Sequence, residues 1–388
     1  MTTVLKHSNP GPSHGDTARL LGQAWGCSVS FGQGSDALDW GDSGWLDSPS
    51  VVEPQAEDHA AWILWRTFFW EQTLPKDEHL RPMGRSAKRS LALPDAELRA
   101  RELGRMLGIA MPELLRPDPI VVVDIDHLFA YRGRGWISFM GGLLRDLLMG
   151  AWNAVGERLM GPDPFFSMSY WVGLQKRHPN LGFQFFALLS SRRGQYDRGV
   201  EAKHEVVKVA LRQLQMRFEV ASHLSYGSHD RPVGFREELA ALEHILSRPV
   251  IRQRFHFLRN AGQQEAAKTL SDLGLTEDWS LEFADAPGFR AGWASSVPLD
   301  DGYSLVPVSA MDQNFIGRSP REIADNLHEL QAAAWSVGAP LRIGTHWRIF
   351  GPRPEAERNA KSFENWRLGL ELWLAEYATQ CATQRAPQ

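Results

Sequence analysis

Two aspartates, Asp124 and Asp126, stand one residue apart at the end of the apolar run PIVVVDID. Aspartate and histidine are ligands for zinc and other divalent metals, and a site with three protein ligands leaves one position open for water. The metal lowers the pKa of that water, a second carboxylate takes the proton, and a histidine protonates the leaving group. The sequence offers four residues for these roles, namely Asp124, Asp126, His223 and His346.

Each of these residues also has an ordinary structural interpretation. An aspartate pair at a strand end often caps a helix or belongs to a turn, and a single histidine at a strand end is often part of the core. The side chains of a strand point alternately to its two faces. Both carboxylates therefore reach the same end of the sheet, where a site could form, only if the strand ends between them. The repetition of polar residues at successive strand ends favours the chemical interpretation.

The elements that position these residues form an alternating pattern after residue 116. Seven strand-like runs are separated, nearly all of them, by helix-like runs, of which the first is a long one over 136–160. This alternation predicts a parallel sheet with helices outside, as a barrel or a doubly wound sheet. In such folds the chemistry lies at the carboxyl ends of the strands. The predicted strands are 119–126, 181–189, 218–226, 250–258, 278–283, 303–312 and 340–347.

The chain before this pattern has a different composition. Residues 1–55 are rich in Gly, Ser and Asp, which predicts irregular structure or short antiparallel strands with turns. Apolar spacing predicts helices over 58–72 and 94–108. A linker-like segment, MPELLRPDP, then places a boundary near residue 115, between an N-terminal accessory domain, 1–115, and a second domain, 116–388.

Composition excludes several classes of protein. The net charge of −4 over 388 residues gives no electrostatic reason to expect nucleic acid or an anionic membrane surface as a partner. The first residues lack the apolar core of a secretory signal, and no run is long enough for a transmembrane helix. The two cysteines, Cys27 and Cys381, predict neither a disulfide framework nor a cysteine metal site. We therefore expect a cytoplasmic enzyme of unknown oligomeric state.

The order of these motifs resembles the polysaccharide deacetylases, the NodB-homology group of carbohydrate esterases, over roughly residues 116–350. The resemblance implies an α/β fold, a distorted (β/α)7 barrel of the NodB type, here with a smaller N-terminal α+β domain. It also implies a divalent metal, usually zinc, that is bound by one aspartate and two histidines. Enzymes of this family remove acetyl groups from N-acetylated sugars.

The resemblance assigns roles to individual residues. VVVDIDHLF is similar to the family's first motif, with Asp124 as the catalytic base and Asp126 as a metal ligand. In SHLSYGSHD, His223 matches the first histidine ligand, but Gly227 occupies the position of the second. Either a looped backbone brings His229 to the metal, or His256 substitutes for it, or the site is incomplete.

Two further motifs supply the remaining catalytic residues. Arg254 of RFHFL matches the arginine that holds the base, and His346 of LRIGTHW matches the catalytic histidine of the last strand. The family's acidic and aromatic motif is matched only loosely, by Asp278 and Asp285 in EDWSLEFADAPGFRAG. The strings DIDHLFAYRGRGW, HLSYGS, RFHFL and DAPGFRAG together resemble a bacterial subgroup that has an extra N-terminal domain and lacks the second histidine.

Four residues near these motifs are candidates for substrate binding: Tyr131, Tyr226, Asp285 and Arg290. Tyr131 belongs either to a loop over the site or to a glycine-bearing turn into the next helix. Arg290 either binds an anionic group of the substrate or pairs with a nearby acid.

Three hypotheses for the function follow. The first is a metal-dependent hydrolase that removes an acetyl group from an N-acetylated sugar or a related small amide. The second is a catalytically degenerate member of the same family that binds a glycan without hydrolysing it. The third is a hydrolase of another C–N bond, as in ureide-like substrates.

Overall fold

A computed structural model describes residues 2–7, 11–33, 37–38, 45–133, 136–190, 194–197, 200–230, 232–259, 264–299, 302–352 and 360–385. Eleven strands are found in these residues: β1 Thr2–Lys6, β2 Ser28–Gly32, β3 Ile120–Ile125, β4 Gly182–Ala187, β5 Glu219–Leu224, β6 Arg252–Phe255, β7 Glu277–Leu281, β8 Val297–Pro298, β9 Ser304–Pro307, β10 Ala310–Met311 and β11 Arg342–His346. The described α-helices are α1 Pro12–Trp25, α2 His59–Leu64, α3 Asp95–Met106, α4 Trp136–Leu148, α5 Trp152–Leu159, α6 Met168–Arg177, α7 Glu205–Gln215, α8 Pro232–Leu246, α9 Gln264–Ser271, α10 Pro320–Trp335 and α11 Ala360–Arg385.

The chain divides into two compact units, each of which is discontinuous in sequence. The first unit comprises Met1–Pro117, Asn260–Ala310 and Glu329–Arg342. The second unit comprises Asp118–Arg259, Met311–His328 and Ile343–Gln388. The predicted division into 1–115 and 116–388 stays a prediction.

Parallel strands form the centre of the second unit. The order of its strands is β11-β3-β4-β5-β6, and the pairings β3–β4, β4–β5 and β5–β6 are parallel. The β-branched residues Val121, Val122 and Val123 of β3 are fully buried, as expected of a strand covered on both faces. Large aromatic side chains fill the space around the sheet, including the fully buried Trp171 and Trp347.

All seven predicted strands after residue 116 are present, as β3, β4, β5, β6, β7, β9 and β11. The structure therefore confirms a mixed α/β fold. Closure into a (β/α)7 barrel and the N-terminal α+β domain stay predictions.

The first unit differs from its prediction near the amino terminus. Instead of irregular structure or antiparallel strands, β1 and β2 pair in parallel, and α1 connects them. A parallel pair needs such a crossover. The helix follows from two local signals: Pro12 occupies its first turn, and Gly26 ends it with a φ of 66°, which only glycine adopts without strain.

Two predicted helices are interrupted. The segment 58–72 starts as α2, where Asp58 Oδ1 accepts a hydrogen bond from Ala61 N (3.0 Å), but continues as a π-helix, Trp65–Phe69. The long helix expected over 136–160 is split into α4 and α5 around Gly150, whose φ is 65°. Among the described helices, none combines the length and apolar character needed to cross a membrane.

Candidate metal centre

The candidate residues lie at the carboxyl ends of neighbouring strands of the second unit. Asp124 is the second-to-last residue of β3, and Asp126 follows that strand directly. His223 of β5 is the register partner of Arg254 in β6, and His256 follows β6. Because the strands are parallel, residues that are far apart in sequence meet at one edge of the sheet.

Asp126, His223 and His256 form a buried group of metal-ligand type. One ligand atom from each residue lies within 4.8 Å of the others. Nε2 of His223 is 3.3 Å from Asp126 Oδ1, and Nε2 of His256 is 3.7 Å from the same oxygen. The three residues are 7%, 2% and 6% exposed, respectively, so water does not compensate their charges.

The hydrogen bonds of the two histidines fix which ring nitrogen carries the proton. His223 Nδ1 lies 3.0 Å from the backbone oxygen of Arg254, and His256 Nδ1 lies 3.0 Å from Asp197 Oδ1. Both partners can only accept, because a carbonyl and an ionised carboxylate have no proton to donate. Each Nδ1 is therefore protonated, and whenever the ring is neutral its lone pair lies on Nε2, the atom that faces Asp126.

Asp126 Oδ1 is buried and accepts no hydrogen bond in the described part of the chain. It faces the two Nε2 atoms, which carry lone pairs when the rings are neutral, so three potential ligand atoms converge on a space that needs positive charge. A divalent cation or a proton on a histidine satisfies this arrangement. The donor set of two imidazoles and one carboxylate is the one that zinc sites with an open position use.

The electrostatics of the group point the same way. Burial by itself would raise the pKa of Asp126, but His346 and His256 hold it well below its usual range. Burial by itself would lower the pKa of His256, whereas the carboxylates of Asp126 and Asp197 raise it to about 9. A cation that binds here at neutral pH must therefore displace a proton from His256.

A second buried pair lies beside this group, also on β3 and β6. Arg254 Nε donates to Asp124 Oδ2 over 2.9 Å, and the arginine side chain is fully buried. Asp124 Oδ1 accepts no hydrogen bond from any described residue. The arginine holds one oxygen and the other stays available as a proton acceptor. This is the pairing that the sequence motif predicts for a base and its orienting arginine.

The end of β11 supplies a histidine that a carboxylate orients. His346 Nδ1 lies 2.9 Å from Asp312 Oδ1, and the same carboxylate accepts from the backbone N–H of His346 (2.7 Å). Nε2 of His346 lies 3.4 Å from Asp126 Oδ2. Burial alone would lower the pKa of His346, but the charge of Asp312 raises it. The ring can therefore hold a proton next to the metal-ligand group.

Arg348 is the cation nearest to the second oxygen of Asp126. Its Nη1 lies 2.7 Å from Asp126 Oδ2, two residues after His346 in the chain. The sequence motifs do not predict this contact. Because Arg348 occupies Oδ2 of Asp126, the oxygen of this carboxylate that is available to a metal is Oδ1.

The structure brings together Asp124, Asp126, His223, Arg254, His256 and His346, but not His229. His229 lies half-buried in the short 3-10 helix Gly227–Asp230, outside the three-residue group. The chain before it is tied to α8, because Ser225 Oγ and Ser228 Oγ each donate to Glu238 Oε1 over 2.6 Å. Of the predicted alternatives for the second histidine, the geometry places His256 in the group.

Asp197 is a site residue that the sequence motifs do not identify. It accepts from Tyr226 N (2.9 Å) and Gly227 N (2.8 Å) as well as facing His256. Burial alone would raise its pKa, but the bond with His256 and the two backbone N–H groups lower it. It thus fixes both the loop after β5 and the orientation of the histidine, and only its position in a polar loop after β4 signalled it.

The candidate substrate-binding tyrosines lie in loops of the second unit. Tyr131 N donates to Asp163 Oδ2 (3.0 Å), and the guanidinium of Arg158 lies 4.2 Å from the centre of its ring. The ring centre of Tyr226 lies 4.5 Å from that of Tyr196, with the two planes tilted by 47°, and the guanidinium of Arg259 lies 4.3 Å from the Tyr226 ring centre. Both rings have protein partners, and their role in substrate binding stays a prediction.

Asp285 and Arg290 belong to the first unit. Asp285 accepts from the backbone of Gly84 (2.8 Å) and of Arg85 (3.1 Å). Arg290 is buried and forms a bidentate pair with Glu71, with distances of 2.7 and 3.0 Å. The arginine therefore pairs with a nearby acid, which is the second of the two interpretations that its sequence allowed.

No protein-family model and no curated protein matches the chain. Solved structures that are similar to it include one described as a polysaccharide deacetylase from Mycobacterium smegmatis, with 14% identity, a TM-score of 0.41, and coverage of 72% of this chain and 94% of that one. Another, from Bordetella bronchiseptica, is described as a polysaccharide deacetylase involved in O-antigen biosynthesis (13% identity, TM-score 0.34, coverage 68% and 91%). A third is PuuE allantoinase (14% identity, TM-score 0.38, coverage 79% and 91%). Likeness at these scores supports no conclusion about activity.

Proposed function

We propose that the chain is a metal-dependent hydrolase that removes an acetyl group from an N-acetylated sugar or a related small amide. The observation that carries the proposal is the convergence of Asp126 Oδ1 with the Nε2 atoms of His223 and His256, the two ring nitrogens that Asp197 and the backbone of Arg254 leave uncontacted. Bound there, a divalent cation would act as a Lewis acid. It would lower the pKa of a bound water and polarise the substrate carbonyl. Zinc suits the donor set.

The residues around the group have the chemistry that amide hydrolysis needs. Asp124 presents the oxygen that Arg254 does not hold, so it can take a proton from the attacking water. His346 is held by Asp312 through Nδ1, and Nε2 can deliver a proton to the leaving amine. An amine is a poor leaving group until it is protonated, which is why a base and an acid both belong in the site.

The contact of Arg348 with Asp126 favours a second candidate, a binding protein without a metal. An arginine 2.7 Å from the ligand carboxylate already neutralises part of its charge. In that case His256 keeps its proton, and the pocket recognises a glycan without cleaving it.

Metal content distinguishes the two candidates. The full chain is purified, loaded with zinc, dialysed and analysed for bound metal by mass spectrometry. We expect about one equivalent in the wild type, as a single three-ligand site implies, and its loss in both His223→Ala and His256→Ala. His229→Ala is the matched control, because His229 lies outside the group, and it should retain the metal.

The activity test uses the same four proteins. A panel of N-acetylated sugars and small ureides is assayed for released acetate and for released ammonia. Acetate release that disappears with the metal supports the deacetylase, and ammonia release supports hydrolysis of another C–N bond. A wild type that stays free of metal but binds sugars would establish the binding protein instead.

A further inference from the structure

Helices α4 and α5, together with the turn between them, carry an unusual amount of exposed apolar surface. We call residues 136–160 the apolar hairpin. Ten of its large apolar side chains are exposed, among them Trp136 (75%), Leu148 (79%) and Trp152 (69%). Fourteen other exposed large apolar side chains are distributed over all the rest of the described chain. Contiguous apolar surface of this kind marks a site of interaction.

The polarity of the hairpin is inverted. Its inner side holds an ion pair, in which Arg158 Nη2 lies 2.7 Å from Asp146 Oδ2 and each side chain is only 6% exposed. Arg145 also donates to Asp146, over 3.0 Å. Apart from the enclosed side chain of Arg158, α5 is exposed or half-buried, and no residue of this helix is buried as a whole. A helix pair that encloses an ion pair and exposes its tryptophans has its apolar face toward something other than water.

The exposed side chains of α4 lie on one face. At about 100° per residue, Trp136, Ile137, Met140, Leu144, Leu147 and Leu148 fall within an arc of about 120°. Arg145 lies about 60° beyond one edge of this arc. An apolar arc with a cation at its margin is the pattern of helices that lie in the plane of a membrane interface.

Charge and tryptophan placement favour a lipid surface as the occupant. The hairpin, 136–160, has Arg145 and Arg158 against Asp146 and Glu157, a formal charge of 2 − 2 = 0. Arg132 and Arg134 stand just before it and bring the segment 131–160 to +2, in a chain with a net charge of −4. The whole-chain charge predicts no attraction to an anionic membrane, but this segment has the opposite sign. One tryptophan begins each helix, and tryptophan prefers the level of the lipid headgroups.

We propose that the apolar hairpin docks the protein on the surface of a bilayer that contains anionic lipid. The helices lie flat with their apolar arc among the acyl chains, and Arg145 at the margin of the arc meets the phosphates. The inference does not depend on the metal site, because it uses none of its residues. It adds an interaction surface to the proposed activity.

The experiment is flotation of the full chain with vesicles. One set contains phosphatidylcholine alone and the other phosphatidylcholine mixed with phosphatidylglycerol. We expect the wild type to float with the mixed vesicles and to bind less at high salt, because screening weakens the charge contribution. The combined variant Trp136→Ser/Leu148→Ser/Trp152→Ser should partition at least about tenfold less, since three large apolar groups no longer leave water.

A matched control carries three similar substitutions elsewhere in the second unit: Met216→Ser, Val233→Ser and Ile316→Ser. These residues are 82%, 65% and 45% exposed, and their loss should not alter flotation. Melting temperatures of both variants show that each is folded.

Two outcomes overturn the proposal. In the first, the wild type does not float with either type of vesicle, or the hairpin variant floats as well as the control. In the second, sedimentation shows that the wild type is a dimer that the hairpin variant converts to a monomer, with no flotation of either. The hairpin is then an interface between two copies of the chain. Metal content is measured on the same samples and stays unchanged in every case, so the two proposals fail separately.

Discussion

Each unit of the molecule contains a buried cluster of charged side chains, and the two clusters differ in how fully they are hydrogen-bonded. In the first unit, Arg66 donates to Asp95 (3.1 Å) and to the backbone oxygens of Arg290 (2.8 Å) and Phe289 (3.2 Å). Arg290 uses its other side for Glu71. In the second unit, Asp124 Oδ1 and Asp126 Oδ1 are buried without a hydrogen bond from any described residue.

The difference separates structural from functional burial of charge. Breaking a buried pair is costly because it leaves a charge without a partner, so a fully bonded cluster holds loops and helices in place. A buried oxygen without a partner costs stability, and a fold retains it where a ligand or a proton completes it. Binding of a ligand or a proton is therefore expected to stabilise the cluster in the second unit but not the cluster in the first unit.

The largest effect is expected from Arg66→Ala in the fully hydrogen-bonded cluster of the first unit. The substitution leaves Asp95 and two backbone oxygens without their buried donor, so the free energy of unfolding should fall by about 3–5 kcal/mol. Denaturant titration measures it. Arg105→Ala is the control, because the pair with Glu102 is exposed (55% for each side chain) and should contribute at most about 1 kcal/mol. Equal effects of the two substitutions would remove the distinction drawn above.

The next largest effect is a loss of activity in Asp124→Asn, in the cluster of the second unit. Asparagine can still accept from Arg254 but cannot take a proton, so turnover should fall about 10²–10⁴-fold. Bound metal and melting temperature should change little, because Asp124 is not among the three ligand residues. Steady-state kinetics on an acetate-releasing substrate provides the measurement. Full activity in the variant would show that Asp124 only balances the charge of Arg254.

A smaller effect tests the carboxylate that orients His256. Asp197→Asn weakens the acceptor at His256 Nδ1 and should reduce metal affinity about 10–100-fold, as found for partners of metal-bound histidines. Asp163→Asn is a matched control, because Asp163 is also buried and also holds a loop through backbone N–H groups of Ala130 and Tyr131. Competition with a chelator measures both affinities. If the two variants lose affinity equally, Asp197 acts only by holding its loop.

The smallest effect is a pH dependence in the first unit. Burial raises the pKa of Glu97. The hydrogen bonds from Ser295 and from the backbone of Ala294 lower it by less, so the pKa stays above its usual value. The folded protein therefore holds this proton more tightly than the unfolded chain. The contribution of Glu97 to the free energy of unfolding is fully present below the pKa of this group in the unfolded chain. It is lost as pH rises through the pKa of the group in the folded protein. Unfolding measured across this range should show Glu97→Gln gaining stability relative to the wild type as pH rises, and a constant difference would contradict the assignment.

Local patterns predicted a large part of this molecule. The seven strand-like runs after residue 116 are all strands, because β-branched and aromatic residues between helix-like runs report on the backbone directly. The pairing of Asp124 with Arg254 was implied only by the resemblance to the polysaccharide deacetylases, and the two side chains are hydrogen-bonded. In contrast, α1 was missed, since its only signals are a proline at the start and a glycine at the end.

The sequence by itself determined the strands, the aspartate pair and the residue types from which a metal site can be built. Only the tertiary structure decided that His256 lies in one group with Asp126 and His223, that Asp197 and Asp312 face the histidines, and that the apolar side of α4 is exposed. Strand and helix propensities act over a few neighbouring residues. The direction of a side chain, and the partner it meets from a distant segment, depend on how the whole chain packs.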